Sequence, residues 1–426
     1  MSCSLVRSWF AMVAEPTLPI PESNMATVRE TEQKLLSVYQ RVNPSTYEIE
    51  TDHDEYRARD RYMRSLMHRK LKFPQRMFKD ASLIEFGSGT GEHSLFYLKW
   101  GAQGTFVEIN ELAIARMEQL FEHFDIGPDR YQTRNQSIFD YHDEQRYDIV
   151  SCLGVLHHLE EKERAFGIVA QAVAPGGFLI LGIGNNAGTF QRNLQRLIVN
   201  RLAGTDPERI EHVAEDLFAG HLDRAEKYGR RNRRSIIHDT YVNPKIDTMS
   251  VVDVLELFAA NGLELYSSWP PVVPALIGDS PNRDEPVYRD YPNLMSLVEL
   301  GYTAHGDDDA TILPGIDAEL AGPMQALRTL VDGFNDITPD REPSAEWIHA
   351  TVAASRSALG RLANPYQPAC QRLDGLLAET AQVMAHLAEG NQAAVKQALD
   401  SARFLFRGSS GLGITFFIGH RPQADD

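Results

Sequence analysis

Between residues 81 and 184 the chain alternates between two hydrophobic patterns. ASLIEF (81–86), GTFVEIN (104–110), YDIVSCLGVL (147–156) and FLILGIG (178–184) are short apolar runs bounded by turn residues, and RYQTRNQS (130–137) holds another. Runs of this length, rich in Val, Ile and Phe, predict buried strands. Between them HSLFYLKWG (93–101), ELAIARMEQLFEHF (111–124) and EKERAFGIVAQAVAPGG (161–177) place apolar residues at helical spacing. Gly101 closes the first of these helices, and Pro175-Gly176-Gly177 stops the last. Strands that alternate with helices at short intervals predict a parallel sheet covered on both faces.

The flanking regions are less regular. Residues 26–80 read as helical, with an Arg- and Tyr-rich stretch, YRARDRYMRSLMHRKLKF, at 56–73. Residues 185–247 are polar and charged. Order returns in TMSVVDVLELFAANGLELYSSWPP (248–271): Ser250 caps a helix, Gly262 ends it, and LELYSSW is a sixth strand. Residues 273–407 read as mostly helical, and ITFFIGH near the end is a seventh strand. The predicted fold is a doubly wound seven-stranded, mostly parallel α/β sheet. Its expected parts are a disordered extension (1–25), an N-terminal helical lid (26–80), a core (81–272) with an insertion at 185–247, a large helical insertion (273–407), and the last strand with a tail (408–426).

Composition adds constraints. The chain has 426 residues, 43% hydrophobic and 24% charged, as in a soluble globular protein. A formal net charge of -17 argues against a generic nucleic-acid binder, which needs local excess Lys and Arg. Three widely separated cysteines, Cys3, Cys152 and Cys370, make neither a disulfide framework nor a zinc site, so no metal is expected and the cytoplasm is the expected compartment. No apolar run approaches the ~18 residues that span a bilayer. The opening MSCSLVRSWFAMVAEP imitates a signal peptide, but Arg7 breaks its apolar part, and Met12 and Met25 are alternative starts.

The chemistry starts at LIEFGSGTGEHS (83–94), where Gly87, Gly89 and Gly91 follow a strand. Such a turn lets a ligand approach the backbone, although an ordinary tight strand–helix turn would also use it. A dinucleotide fingerprint is G-x-G-x-x-G, and here Glu92 stands where its third glycine would fall. With Glu85 before the turn, Glu92 puts negative charge where a pyrophosphate would be repelled and a cation would not. No G-K-[ST] follows, so this is no P-loop. Glu108 closes the second strand, where a carboxylate can accept both hydroxyls of a ribose. A ribose, no phosphates and a positive charge describe S-adenosylmethionine.

EFGSGTGEHS resembles the glycine-rich motif of class I S-adenosylmethionine-dependent methyltransferases. FVEIN is similar to their second strand, YDIVSCLGVLHHL to their fourth and PGGFLIL to their fifth, in the right order across 81–184. The resemblance covers about a third of the chain. It implies that Gly87, Gly89 and Gly91 lie beside the methionine portion of the cofactor, that Glu108 holds the ribose, and that Glu85 serves the amino group directly or through water. It places the adenine contact after the third strand, where the family's common Asp is absent and Gln136 or Ser137 stands instead. It also puts Leu153 at the cofactor pocket.

For the acceptor half, His157 and His158 follow the fourth strand and are candidates to take a proton, or they simply begin the next loop. Methyl transfer can also proceed by positioning alone. HDTYVNP (238–244) combines His238, Asp239, Tyr241 and Asn243 in a loop, with His238 and Tyr241 as candidate substrate contacts, or is a polar turn that caps the next element. Lys227, Arg230, Arg231, Arg233 and Arg234 could meet an anion or form a solvated face, and so could Arg57, Arg59, Arg61 and Arg64. Tyr56 and Tyr62 are candidates to close over the cofactor. Apolar stripes such as CQRLDGLLAETAQVMAHL suit a core or a homodimer surface. The expected activity is methyl transfer to an O, N or S atom of a small molecule, without membrane or nucleic-acid partners. The alternatives are an RNA or protein methyltransferase and a non-catalytic cofactor-binding scaffold.

Overall fold

The computed structural model describes residues 22–41, 49–229, 232–243, 246–272, 367–406 and 413–423, with isolated positions between 295 and 357. Residues 1–21 of the predicted extension, most of 273–366, and Arg230 and Arg231 lie outside the described residues. Seven strands form one sheet in the order β3-β2-β1-β4-β5-β7-β6. They are β1 (Ser82–Phe86), β2 (Gln103–Glu108), β3 (Tyr131–Asn135), β4 (Tyr147–Leu153), β5 (Val173–Gly184), β6 (Glu264–Trp269) and β7 (Ile414–His420). β1 through β5 pair in parallel, whereas β7 runs antiparallel between β5 and β6.

The helices that interleave with the strands are α1 (Glu22–Arg41), α2 (His53–Arg64), α3 (Glu92–Lys99), α4 (Glu111–His123), α5 (Lys162–Gln171), α6 (Phe190–Ala203), α7 (Pro207–Gly229), α8 (Arg233–Ile237) and α9 (Val251–Ala260). Their termini follow from local chemistry. Asn110 caps α4 by accepting the Leu112 N–H, and Ser250 with Asp253 forms a reciprocal capping box on α9. One predicted boundary moves: α5 stops at Gln171, and β5 already begins at Val173. The Pro175-Gly176-Gly177 segment therefore belongs to the strand, where the register with β4 shifts between Tyr147 and Ile149.

Period-2 side-chain alternation divides the core into two layers. Ile84, Phe86, Val107, Val150, Cys152, Leu179 and Leu181 face one side and pack with Val28 of α1, Phe166 of α5 and Phe258 of α9. Leu83, Phe106, Ile149, Ile180 and Ile418 face the other, with Met63 of α2, Phe96 of α3 and Phe121 of α4. Each such fully buried side chain contributes about 1.5–3 kcal/mol of transfer free energy.

This layering corrects the picture of 26–80 as one lid. α1 and α2 pack on opposite faces of the sheet, because Val28 carries one apolar stripe and Met63, Leu66 and Met67 the other. Tyr56 packs against Phe96 and Phe124 at ring separations of 5.8 and 5.1 Å, and Tyr62 stacks on His93, so both belong to the layer of α3 rather than to a cofactor lid. The polar stretch 185–247 is also regular, since it folds into α6, α7 and α8.

Residues 304–409 form a second compact unit. Within it, α10 (Gln367–Ala388) and α11 (Gln392–Ser401) bury Leu376, Val383 and Leu387 with Val395 and Leu399. Glu379 accepts the backbone N–H groups of Arg403, Phe404 and Leu405 at 2.6, 2.9 and 2.9 Å, fixing the turn after α11. Among the described residues, no helix is long and apolar enough to cross a membrane.

Candidate functional site

The chain leaves β1 toward β2 and β3 on one side, then returns to place β4 on the other. Ligands of open α/β sheets bind at such a switch point, outside the carboxyl ends of the strands. A cavity of about 170 Å³ lies there. The turns after β1 and β3 contribute to it through Gly89 and Ser137, β2 and β4 through their last residues Glu108 and Leu153, and α1 adds Glu32, Leu35 and Tyr39.

The three glycines of the first turn have different duties. Gly89 lines the cavity at φ +56°, and a Cβ there would meet nothing within 4 Å, so its missing side chain is what opens the cradle. Gly87 also lines the cavity, but a Cβ on it would lie 2.3 Å from Val155. Gly91 is the N-cap of α3 and packs against Met117 of α4; it is not a lining residue.

Glu108 ties the turn to the end of β2. One carboxylate oxygen accepts the Gly89 N–H and the other the Asn110 N–H, each at 2.9 Å. Burial raises its pKa, and these backbone hydrogen bonds oppose the rise. A carboxylate has about four acceptor positions, so one on each oxygen is left for a ligand. This fits a diol. Asn110 and the exposed Ile109 continue the same wall.

Glu85 sits beneath the turn and not along the cavity. It is buried between Ser94, which donates at 2.5 Å, and Ser151, which donates at 3.0 Å. Burial moves its pKa up to about 7, against the pull of both hydroxyls. Its contact with a ligand's amino group would have to pass through an intermediary.

At the far end Gln136 and Ser137 both line the cavity. The Ser137 hydroxyl donates to Glu32 of α1, and Arg29 donates to Glu32 at 2.9 Å and also to Asp140. A buried carboxylate thus stands beside the position where the family's Asp is missing, delivered from a helix more than one hundred residues earlier in the chain. The sequence pattern gave no signal for Glu32, because a contact 105 residues apart leaves no local trace. Gly154 was also missed. It lines the cavity at φ +76° with open space where a Cβ would stand, and a glycine interrupting the apolar run 147–156 is the available signal.

The two histidines separate. His157 is buried and its Nδ1 accepts the Gly184 N–H at 3.2 Å. Desolvation, then the neighbouring His158 and Arg192, hold its pKa well below the usual range, so the ring stays neutral and serves the backbone. His158 lines the cavity, edge-on to Tyr39 at 6.3 Å, with Asn243 Nδ2 3.4 Å from its Nδ1. HDTYV is a π-helical turn (His238–Val242) instead of a loop. His238 Nε2 lies 2.7 Å from Glu211, and Tyr241 is buried against Phe218 with its hydroxyl 3.5 Å from Gln195. Neither residue lines the cavity. Asn243 is the member of that segment that reaches its wall.

Arg233 and Arg234 of the basic cluster are neutralised by acids of the same chain. Arg233 bonds to Glu215, Asp223 and Glu226, each at 2.7 Å, and Arg234 to Glu211 at 3.0 Å.

Residues 55–267, half of the chain, match the model of a methyltransferase-domain family, and the chain belongs to that family. An uncharacterized Synechococcus protein is 30% identical over 100 residues, which are 23% of this chain and 24% of that protein, so the chain spans about a quarter of the curated relative that it matches. Among solved structures, PKMT2 from Rickettsia typhi in complex with AdoHcy is 14% identical with a TM-score of 0.40, covering 57% of this chain and 48% of that one. Magnesium protoporphyrin IX methyltransferase from Synechocystis, with bound SAM, is 13% identical with a TM-score of 0.32, covering 59% and 91%. A Burkholderia thailandensis 1,6-didemethyltoxoflavin N1-methyltransferase is 13% identical with a TM-score of 0.33, covering 60% and 84%.

Proposed function

We propose that the chain transfers a methyl group from S-adenosylmethionine to an O, N or S nucleophile of a small molecule. The observation that carries this reading is the pairing of Gly89 and Glu108 across one cavity wall: an open cradle without a Cβ beside a carboxylate with one acceptor position left on each oxygen.

Bound there, the cofactor would supply a methyl group already activated on a sulfonium. The chain's part is to bind, orient and shield. Gly87 and Gly89 admit the ligand against the backbone, and Glu108 takes the ribose hydroxyls. Glu32 and Ser137 offer polar atoms to the base, while Leu35 and Tyr39 close that side to water. His158, next to Leu153 at the end of β4, is the group that can hold a proton released by the acceptor, with Asn243 orienting its ring. His157 is not needed for that step, since its Nδ1 is committed to Gly184.

A small acceptor is favoured over RNA because Arg233 and Arg234 are satisfied by carboxylates of their own chain, which leaves them poor docking groups for phosphate. Calorimetric titration of the purified protein with S-adenosylmethionine, S-adenosylhomocysteine and NAD tests the reading. Binding of the first two without NAD is expected. Binding of NAD alone would overturn it.

A further inference from the structure

α6 carries a charge imbalance that the cofactor half of the site does not explain. It starts just past the carboxyl end of β5 and presents Arg192, Gln195 and Arg196 on successive positions of one face. Arg192 is paired: it donates to Asp239 Oδ2 at 3.1 Å and to the Asp239 carbonyl at 3.2 Å. Among the described residues, Arg196 has no carboxylate in contact. Its described bond runs from Nη2 to the Asn243 carbonyl at 2.9 Å.

Three donors on this face, Arg192 Nε, Gln195 Nε2 and Arg196 Nη1, are buried without an acceptor among the described residues. Buried donors in native proteins are nearly always satisfied, and an exception calls for a missing partner. The guanidinium cannot escape by losing its proton. Burial nevertheless pulls the Arg196 pKa down, Arg192 adds to that by like-charge repulsion, and only Asp239 opposes it. The nearby cation Lys162 is already matched by Asp247 at 2.6 Å. Among the described residues one positive charge is therefore left over.

The location points to its use. Arg196 holds the carbonyl of Asn243, whose side chain lies 3.4 Å from His158, and His158 lines the cavity. The excess charge is thus linked through Asn243 to the cavity wall at His158. We propose that Arg192 and Arg196 anchor a carboxylate of the methyl acceptor. This rests on reading the cavity as the cofactor site. A carboxylate matches a single unbalanced charge, whereas a phosphate monoester carries about −1.5 to −2 at pH 7 and would leave an excess of the opposite sign. Its planar pair of oxygens also suits the guanidinium fork.

The test uses benzoate and its neutral counterpart benzamide as probes, titrated by NMR into the full chain with and without S-adenosylhomocysteine. Benzoate should bind at least tenfold more tightly than benzamide. Arg196→Gln and Arg192→Gln should each remove most of that preference, while Arg201→Gln, on an exposed position of the same helix, should leave it intact. Equal binding of the two probes, no binding of benzoate, or an unchanged preference in both α6 variants would overturn the proposal. Should Arg196→Gln fail to fold, the probe comparison on the native chain and Arg192→Gln still decide. Benzoate is titrated without the nucleoside as well, so failure of S-adenosylhomocysteine to bind would refute the cofactor reading, and the benzoate preference would separately decide whether Arg192 and Arg196 form a carboxylate site.

Discussion

Replacing Glu108 by Ala removes two functions at once, and the structure separates them. The carboxylate accepts the Gly89 and Asn110 N–H groups at 2.9 Å each, so it shapes the turn before any ligand arrives. Loss of each such bond costs about 0.5–1.5 kcal/mol, or less where water can replace the acceptor. Glu108 is half-buried, and water can reach its site when the side chain is gone. The stability loss should therefore stay near 1–2 kcal/mol, and the variant should fold. Binding should suffer more: a hydrogen bond to a charged group is worth about 1.5–3 kcal/mol, which corresponds to roughly 10- to 150-fold in Kd. Calorimetry with S-adenosylhomocysteine reads the binding loss, and thermal melting of the same samples reads the stability loss. Glu108→Asp should fall between the two, because a side chain one methylene shorter does not span both amides. A folded Glu108→Ala protein with wild-type affinity would refute the ribose assignment.

Other outcomes are expected from the same geometry. Gly89→Val should abolish S-adenosylhomocysteine binding in calorimetry, because it fills the cradle and imposes about 1–3 kcal/mol of strain at φ +56°. His157→Ala should lower the melting temperature by orphaning the Gly184 N–H at a cost of about 1–3 kcal/mol, whereas His158→Ala should act mainly on turnover in a methyl-transfer assay. Glu85 is raised to about 7 in the folded chain, above its unfolded value near 4.5, so the folded state binds the extra proton. Stability should therefore fall as pH rises from about 4.5 to about 7, by on the order of 3 kcal/mol. Glu85→Gln should flatten that slope in pH-dependent melting; an unchanged slope would contradict the burial argument. Glu32→Ala should loosen α1, seen as faster amide exchange across Glu22–Arg41 and weaker nucleoside binding.

What the sequence revealed, and what it hid, follows from the range of each interaction. Strands such as Ser82–Phe86 and caps such as Ser250 are set by neighbours within a few residues, so periodicity and capping chemistry locate them. The cavity wall from Gly89 and Glu108 is legible for the same reason, since Glu108 ends β2 and Gly89 stands in the turn just after β1, both strands that the pattern identifies. Glu32 was not legible, because its place beside Ser137 is created only when α1 folds across the sheet. The two histidines show the limit most sharply. Adjacent in sequence and alike in chemistry, they are separated by a backbone N–H that claims His157, a fact of β5's position and of no local pattern. Arg233 and Arg234 show the same limit: the choice between an anion-binding group and a solvated face is decided by carboxylates of α7 that meet them only in the fold.

β7 has a bearing on how the molecule is made. It lies between β5 and β6, and residues 270–413 come between β6 and β7 in the chain. At the roughly 5–20 residues per second of translation, about 7–30 s pass after β6 is synthesised before β7 can exist. Through that interval β5 and β6 each present an open edge, and unpaired edges recruit other strands. The growing chain thus carries an exposed β5 edge after the methyltransferase region has been translated, and β7, on leaving the ribosome, covers that edge and leaves β3 and β6 as the outer strands of the sheet.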